Sequence, residues 1–123
     1  MARILVVDDE QVVCDLVESI LQSAGHVTRR ALDGAHAVEL IAQEKFDLIL
    51  TDIFMPGEDG LGLLRHLRLL QPALPVLAFT GKSDATFDAL EFAAKLGAAG
   101  VLRKPLERST LLAAVHRIVP ATT

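Results

Sequence analysis

Five side chains carry groups that could cooperate in chemistry: Asp8 and Asp9, Asp52, Thr80 and Lys104. Three carboxylates brought together repel one another. Two like charges ~4 Å apart cost roughly 4 kcal/mol at an effective dielectric of about 20. One lysine does not balance three acids, so the set requires a cation. Oxygen-only ligands favour a hard ion, and few carboxylates suit Mg²⁺ that keeps some of its waters. A metal beside a carboxylate and a lysine is chemistry for a phosphoryl group. The cation and the ammonium would neutralise its oxygens, and the Thr80 hydroxyl could donate a hydrogen bond. Asp52 is the candidate nucleophile, because a carboxylate can take up a phosphoryl group as an acyl phosphate. Taken alone, the Asp8-Asp9 pair reads equally well as solvated loop residues or helix caps. That alternative loses weight as Asp52, Thr80 and Lys104 join the set.

What unites the five is where they fall. Short, continuous apolar runs at Ile4 to Val7, Leu48 to Leu50, Val76 to Phe79 and Val101-Leu102 read as strands buried on both faces. His26 to Ala31 is a weaker strand, and its Arg29 and Arg30 suit a sheet edge. Helical patterns lie between the runs. The first has Val12, Val13, Leu16, Val17, Ile20 and Leu21 at helical spacing and stops at Gly25. The second opens at Asp33-Gly34 with Ala37, Val38 and Ile41 on one face. The third carries Leu63, Leu64, Leu67 and Leu70 and ends before Pro72. Ser83 caps a fourth through Leu90, Ala93 and Ala94 to Gly97, and a fifth follows Pro105 with Leu111, Leu112, Val115 and Ile118, ending at Pro120.

Five strands alternating with five helices predict an α/β fold, a parallel sheet covered on both faces. In such sheets ligands bind beyond the carboxyl ends of the strands. Asp8-Asp9, Thr51-Asp52, Thr80-Gly81 and Lys104-Pro105 all follow or end strands, so four of five strand ends carry a suitable group.

Composition narrows the classes. The 123 residues hold 12 Lys plus Arg against 16 Asp plus Glu, a net charge of −4, which argues against nucleic-acid binding by charge. That length predicts one domain, residues 1–119, with 120–123 as a tail or the start of a linker. At 51% hydrophobic the chain can build a full core. No apolar stretch approaches the ~20 residues that span a bilayer. Asp8, Asp9 and Glu10 interrupt the N-terminus where a signal peptide would stay apolar. One cysteine, Cys14, excludes an internal disulfide and suggests a reducing, cytoplasmic setting.

The order Val6-Val7-Asp8-Asp9, Asp52 with Met55-Pro56 and Gly60, Thr80-Gly81, and Gly97-Ala98 leading to Lys104-Pro105 resembles the receiver domain of two-component response regulators, the group containing the bacterial chemotaxis regulator. The resemblance runs from Arg3 to Val119. It implies a doubly wound, flavodoxin-like sheet in the order 2-1-3-4-5. Carried over by position, Asp52 resembles the phosphoacceptor, Asp9 the direct metal ligand, and Asp8 the acid holding metal-bound water. The carbonyl of Phe54 completes the protein's share of the Mg²⁺ ligands, and Thr80 and Lys104 grip the phosphoryl oxygens. The implied donor is a phosphohistidine on a sensor histidine kinase or a histidine phosphotransfer protein. The resemblance implies a domain that catalyses only its own phosphorylation and slow dephosphorylation, not an enzyme acting on other molecules. The implied output is a downstream protein or output domain bound by the face of the fourth helix, fifth strand and fifth helix. Dimerisation on phosphorylation through the fourth and fifth helices is compatible with it. No direct contact with nucleic acid or membrane is expected.

Three residues depart from the pattern or stand out in it. Many relatives carry Tyr or Phe where this chain has Val101, so Thr80 and the loop from Gly81 are expected to move without an aromatic rotamer switch. Phe54 could shield an acyl phosphate from water, contact the kinase, or pack on nearby loops. Phe92 falls on the helix face opposite Leu90, either as a partner contact or as one of the scattered exposed hydrophobes that are common on surfaces. Other signals are weak. Gly81-Lys82-Ser83 lacks the first glycine of a phosphate-binding loop, and Gly57, Gly60 and Gly62 read as turn residues. His26, His36, His66 and His116 have no metal-ligand spacing and are expected at the surface. Cys14 reads as a helix residue. Arg29, Arg30, Arg65 and Arg68 form no nucleic-acid stripe. A haloacid-dehalogenase-type phosphohydrolase wants a second Asp where Phe54 stands, and a phosphate-independent docking module does not need the acids.

Overall fold

The computed structural model describes residues 2–53, 60–80, 91, 94, 95, 97–103 and 106–119. Five strands, β1 (Arg3–Val7), β2 (Val27–Ala31), β3 (Leu48–Asp52), β4 (Val76–Thr80) and β5 (Gly100–Arg103), pair in parallel in the order β2-β1-β3-β4-β5. This is the expected doubly wound order. Helices α1 (Gln11–Ser23) and the C-terminal helix (Arg108–Ile118) cover one face, packing Cys14, Val17, Leu21, Leu111 and Val115 on Ile4, Val6, Leu50 and Phe79. Helices α2 (Gly34–Gln43) and α3 (Gly60–Leu70) cover the other, over Leu5, Val7, Ile49 and Ala78. Where the fourth helix is expected, Glu91, Ala94 and Lys95 are helical, and the rest of that helix, Phe92 included, lies outside the described residues. No helix among the described residues is long and apolar enough to cross a membrane.

The central strands behave as their sequences predict. Ile4 to Val7, Leu48 to Leu50 and Val76 to Phe79 are all buried, because each strand is sandwiched between two helical layers. The arginines of β2 do lie at a sheet edge, where Arg29 meets Glu44 at 3.0 Å and Arg30 meets Asp15 at 2.7 Å. Helix signals held as well. Gly25, at φ +91°, ends α1 with its N–H on the Gln22 carbonyl and the His26 N–H on the Leu21 carbonyl, the two bonds of a Schellman cap. The Asp33 carboxylate accepts from the His36 N–H at 2.8 Å and opens α2.

Four expectations need correction. β5 is not buried on both faces: it is the other edge of the sheet, and Val101 is 37% exposed. Val12 (79% exposed) and Leu16 (49%) lie off the buried stripe of α1, which instead uses Cys14. Leu70 is exposed at the end of α3, one turn beyond the buried Leu67. His26 is buried, not at the surface, because Ala2 and the C-terminal helix close over it.

Candidate functional site

Strand register brings the acids together. Val7 lies opposite Thr51 across β1 and β3, so the next residues along, Asp8 and Asp52, emerge side by side at the carboxyl ends. The chain then turns sharply. The Asp8 Oδ1 accepts from the Glu10 N–H at 2.9 Å, and the Glu10 carbonyl accepts from Val13 and Cys14 to start α1. This local turn holds three consecutive acids over the end of β3. Ligand oxygens from Asp8, Asp9, Glu10 and Asp52 all lie within 4.8 Å of one another.

Burial divides the four. Asp8 is fully enclosed and Asp52 is 4% exposed, whereas Asp9 and Glu10 face solvent. Buried carboxylates are tolerated when positive charge or a metal balances them. The donor set suits a hard divalent ion: opposite ligands on a Mg²⁺ at about 2.1 Å each are about 4.2 Å apart, close to the spread seen here. The open side, lined by Asp9 and Glu10, leaves room for waters, which Mg²⁺ gives up reluctantly.

The other expected members lie along the same rim as far as they are described. Asp52 pairs with Phe79 and Thr80 with Arg103, so the backbone of Thr80 ends β4 one step beyond Asp52. Only the backbone of Thr80 is described, while Phe54, Gly81 and Lys104 lie outside the described residues; Lys104 directly follows Arg103 at the end of β5. Glu10 joins the three aspartates as a member that its residue type alone does not single out. The signal was its place immediately after an acid pair at a strand end. Cys14 sits beneath the turn, its thiol donating to the Asp8 carbonyl at 3.5 Å. Burial, followed by the Asp8 carboxylate, pushes that thiol up to about 11. It is a packing residue, as expected.

Residues 4–116 match the family described as response regulator receiver domain. Over 119 residues the chain is 36% identical to the transcriptional regulatory protein ZraR of Escherichia coli strain K12, a match that covers 97% of this chain and 26% of ZraR. The chain thus spans about a quarter of the length of that relative. Among solved structures, the chemotaxis protein CheY4 of Vibrio cholerae superposes with a TM-score of 0.86 at 30% identity, covering 97% of this chain and 99% of that one. The receiver domain of NtrX from Brucella abortus gives 0.88 at 34% identity, covering 97% and 99%.

Proposed function

This chain belongs to the response regulator receiver domain family, and from that premise we propose that it is a phosphorylation-dependent signalling switch with Asp52 as its phosphoacceptor. The observation that carries the reading is the buried Asp52 carboxylate set beside Asp8, Asp9 and Glu10 within 4.8 Å. Asp9 and Asp52, with the carbonyl of Phe54, would hold Mg²⁺, and Asp8 would support the ion from the buried side of the cluster. When bound, the ion offsets the negative charge of the carboxylates and of an incoming phosphoryl group. An Asp52 carboxylate oxygen attacks phosphorus, the P–O bond forms as the P–N bond of a phosphohistidine breaks, and the imidazole leaves and takes up a proton. Lys104 and Thr80 bind the phosphoryl oxygens, and later attack by water on phosphorus returns free Asp52 and inorganic phosphate.

The donor is a sensor histidine kinase or a histidine phosphotransfer protein in the cytoplasm. The folded unit is residues 1–119. A partner protein or output domain reads the phosphorylated state on the face formed by the fourth helix, β5 and the C-terminal helix, where a phosphorylation-dependent homodimer would also form. Its net charge of −4 supports a domain that does not itself contact nucleic acid or membrane. Incubation with acetyl phosphate and Mg²⁺, followed by intact-mass measurement, tests the reading. One labile phosphoryl group is expected, absent without magnesium and absent in Asp52→Asn. Continuous phosphate release without a labelled protein would favour a hydrolase, and no reaction at all would favour a docking module.

A further inference from the structure

We propose that His26 and His116 form a proton-sensitive clasp that ties the last turns of the C-terminal helix to the base of the sheet. His26 stands between the cap of α1 and the start of β2, 4% exposed. Its Nδ1 accepts from the Ala2 N–H at 3.2 Å, and its Nε2 lies 3.0 Å from Nε2 of His116. The rings are tilted by 50° with centroids 5.2 Å apart.

These contacts dictate the protons. A neutral imidazole that accepts at Nδ1 carries its hydrogen on Nε2. His26 therefore donates to His116, whose Nε2 accepts and whose own hydrogen sits on Nδ1. A further proton has no place in the closed arrangement. On His26 Nδ1 it would face the Ala2 N–H, and on His116 Nε2 it would face the His26 N–H. The same logic disfavours a metal ion on the pair, since an Nε2 ligand on neutral His26 needs the hydrogen moved to Nδ1.

Charged groups on the elements packed around the pair are engaged elsewhere. Arg3 of β1 pairs with Glu44, Arg29 of β2 also pairs with Glu44, and Arg30 of β2 is held by Asp15 and Glu18 of α1. From the C-terminal helix Arg108 reaches Ser23 Oγ at 2.5 Å, and Arg117 adjoins His116 in sequence. Burial above all, then His116 and the positive N-terminus, lowers the affinity of His26 for a proton, and, of the described residues, no carboxylate is among the groups acting on it.

The clasp lies at the amino ends of the parallel strands, opposite the carboxylates, and stands apart from the reading of that site. If the closed form excludes a proton that the open form takes up near ~6.5, the open population rises at least about tenfold between about pH 7.5 and 5.5. Acid would thereby loosen the helix assigned above to partner binding.

Amide hydrogen exchange tests it. Corrected for intrinsic rates, protection at Ala2 and Val119 should fall at least about tenfold more than at Ile49 of β3 over that pH range. In His26→Asn, whose side-chain oxygen can still accept from Ala2 but does not titrate, the difference should vanish. An equal fall at all three amides, or an unchanged difference in the variant, overturns the clasp. If the variant does not fold, ring ¹⁵N shifts of the unaltered protein decide. Opposite neutral tautomers, with hydrogen on Nε2 of His26 and Nδ1 of His116, support it; matching tautomers, or a charged His26 at about pH 6.5, overturn it.

Discussion

Replacing Asp8 with Asn should move stability and metal affinity in opposite directions. The side chain is fully buried, and its Oδ1 accepts from the Glu10 N–H at 2.9 Å, a bond that the asparagine oxygen can keep. What is lost is a negative charge no more than 4.8 Å from Asp52. Two unit charges at that separation repel by about 3.5 kcal/mol at an effective dielectric of about 20. Solvent on the Asp9 side reduces it, so a net relief of about 1–2 kcal/mol is expected. For a domain of this size that raises the thermal midpoint by about 4–8 °C in the presence of a chelator. Magnesium should stabilise the variant less than the parent, with affinity at least about tenfold weaker, or about 1.4 kcal/mol. Thermal unfolding of both proteins in chelator and across a magnesium titration measures both effects. A variant less stable than the parent without metal, yet equally stabilised by magnesium, would refute the crowding of carboxylates on which the site is argued.

Two further predictions concern the supporting structure. Cys14 should resist thiol reagents in the native protein near pH 8 and react only on unfolding, because burial raises its thiol from 9.0 to about 11. Its contribution to stability is complete below about pH 9 and lost as pH rises towards about 11; rapid labelling of folded protein would contradict this. Gly25→Ala and Gly97→Ala both force a side chain to positive φ, at +91° and +102°, costing about 1–2 kcal/mol each in urea unfolding. Gly97→Ala should cost more, since its Cβ would stand 2.9 Å from Arg68 Cδ while nothing lies within 4 Å at Gly25; equal losses would count against that contact.

Much of this protein is legible in one dimension. Continuous apolar runs marked β1, β3 and β4, because a strand covered on both faces has no polar side to show. The arginines of β2 announced an edge, and Asp33 and Gly25 announced helix ends, since caps depend on local hydrogen bonds alone. The alternation of elements gave the class of fold, and strand ends pointed to Asp8, Asp9 and Asp52. Periodicity was less decisive where it met a surface. Val12 and Leu16 repeat at helical spacing, yet only the rotation of α1 against the sheet set Cys14 inward and left them exposed. Val101 has the side chain of a core strand but the position of an edge.

The rest depended on residues distant in sequence meeting in space. Glu10 reaches the acid cluster through a turn locked by Asp8, and His26 finds His116 across 90 residues. Local propensity encodes which segments become strands and helices, because those choices rest on neighbours within a few residues. Which carboxylate is enclosed, which histidines share a proton, and which apolar groups stay in solvent are settled only when the sheet is assembled and its two helical layers close over it.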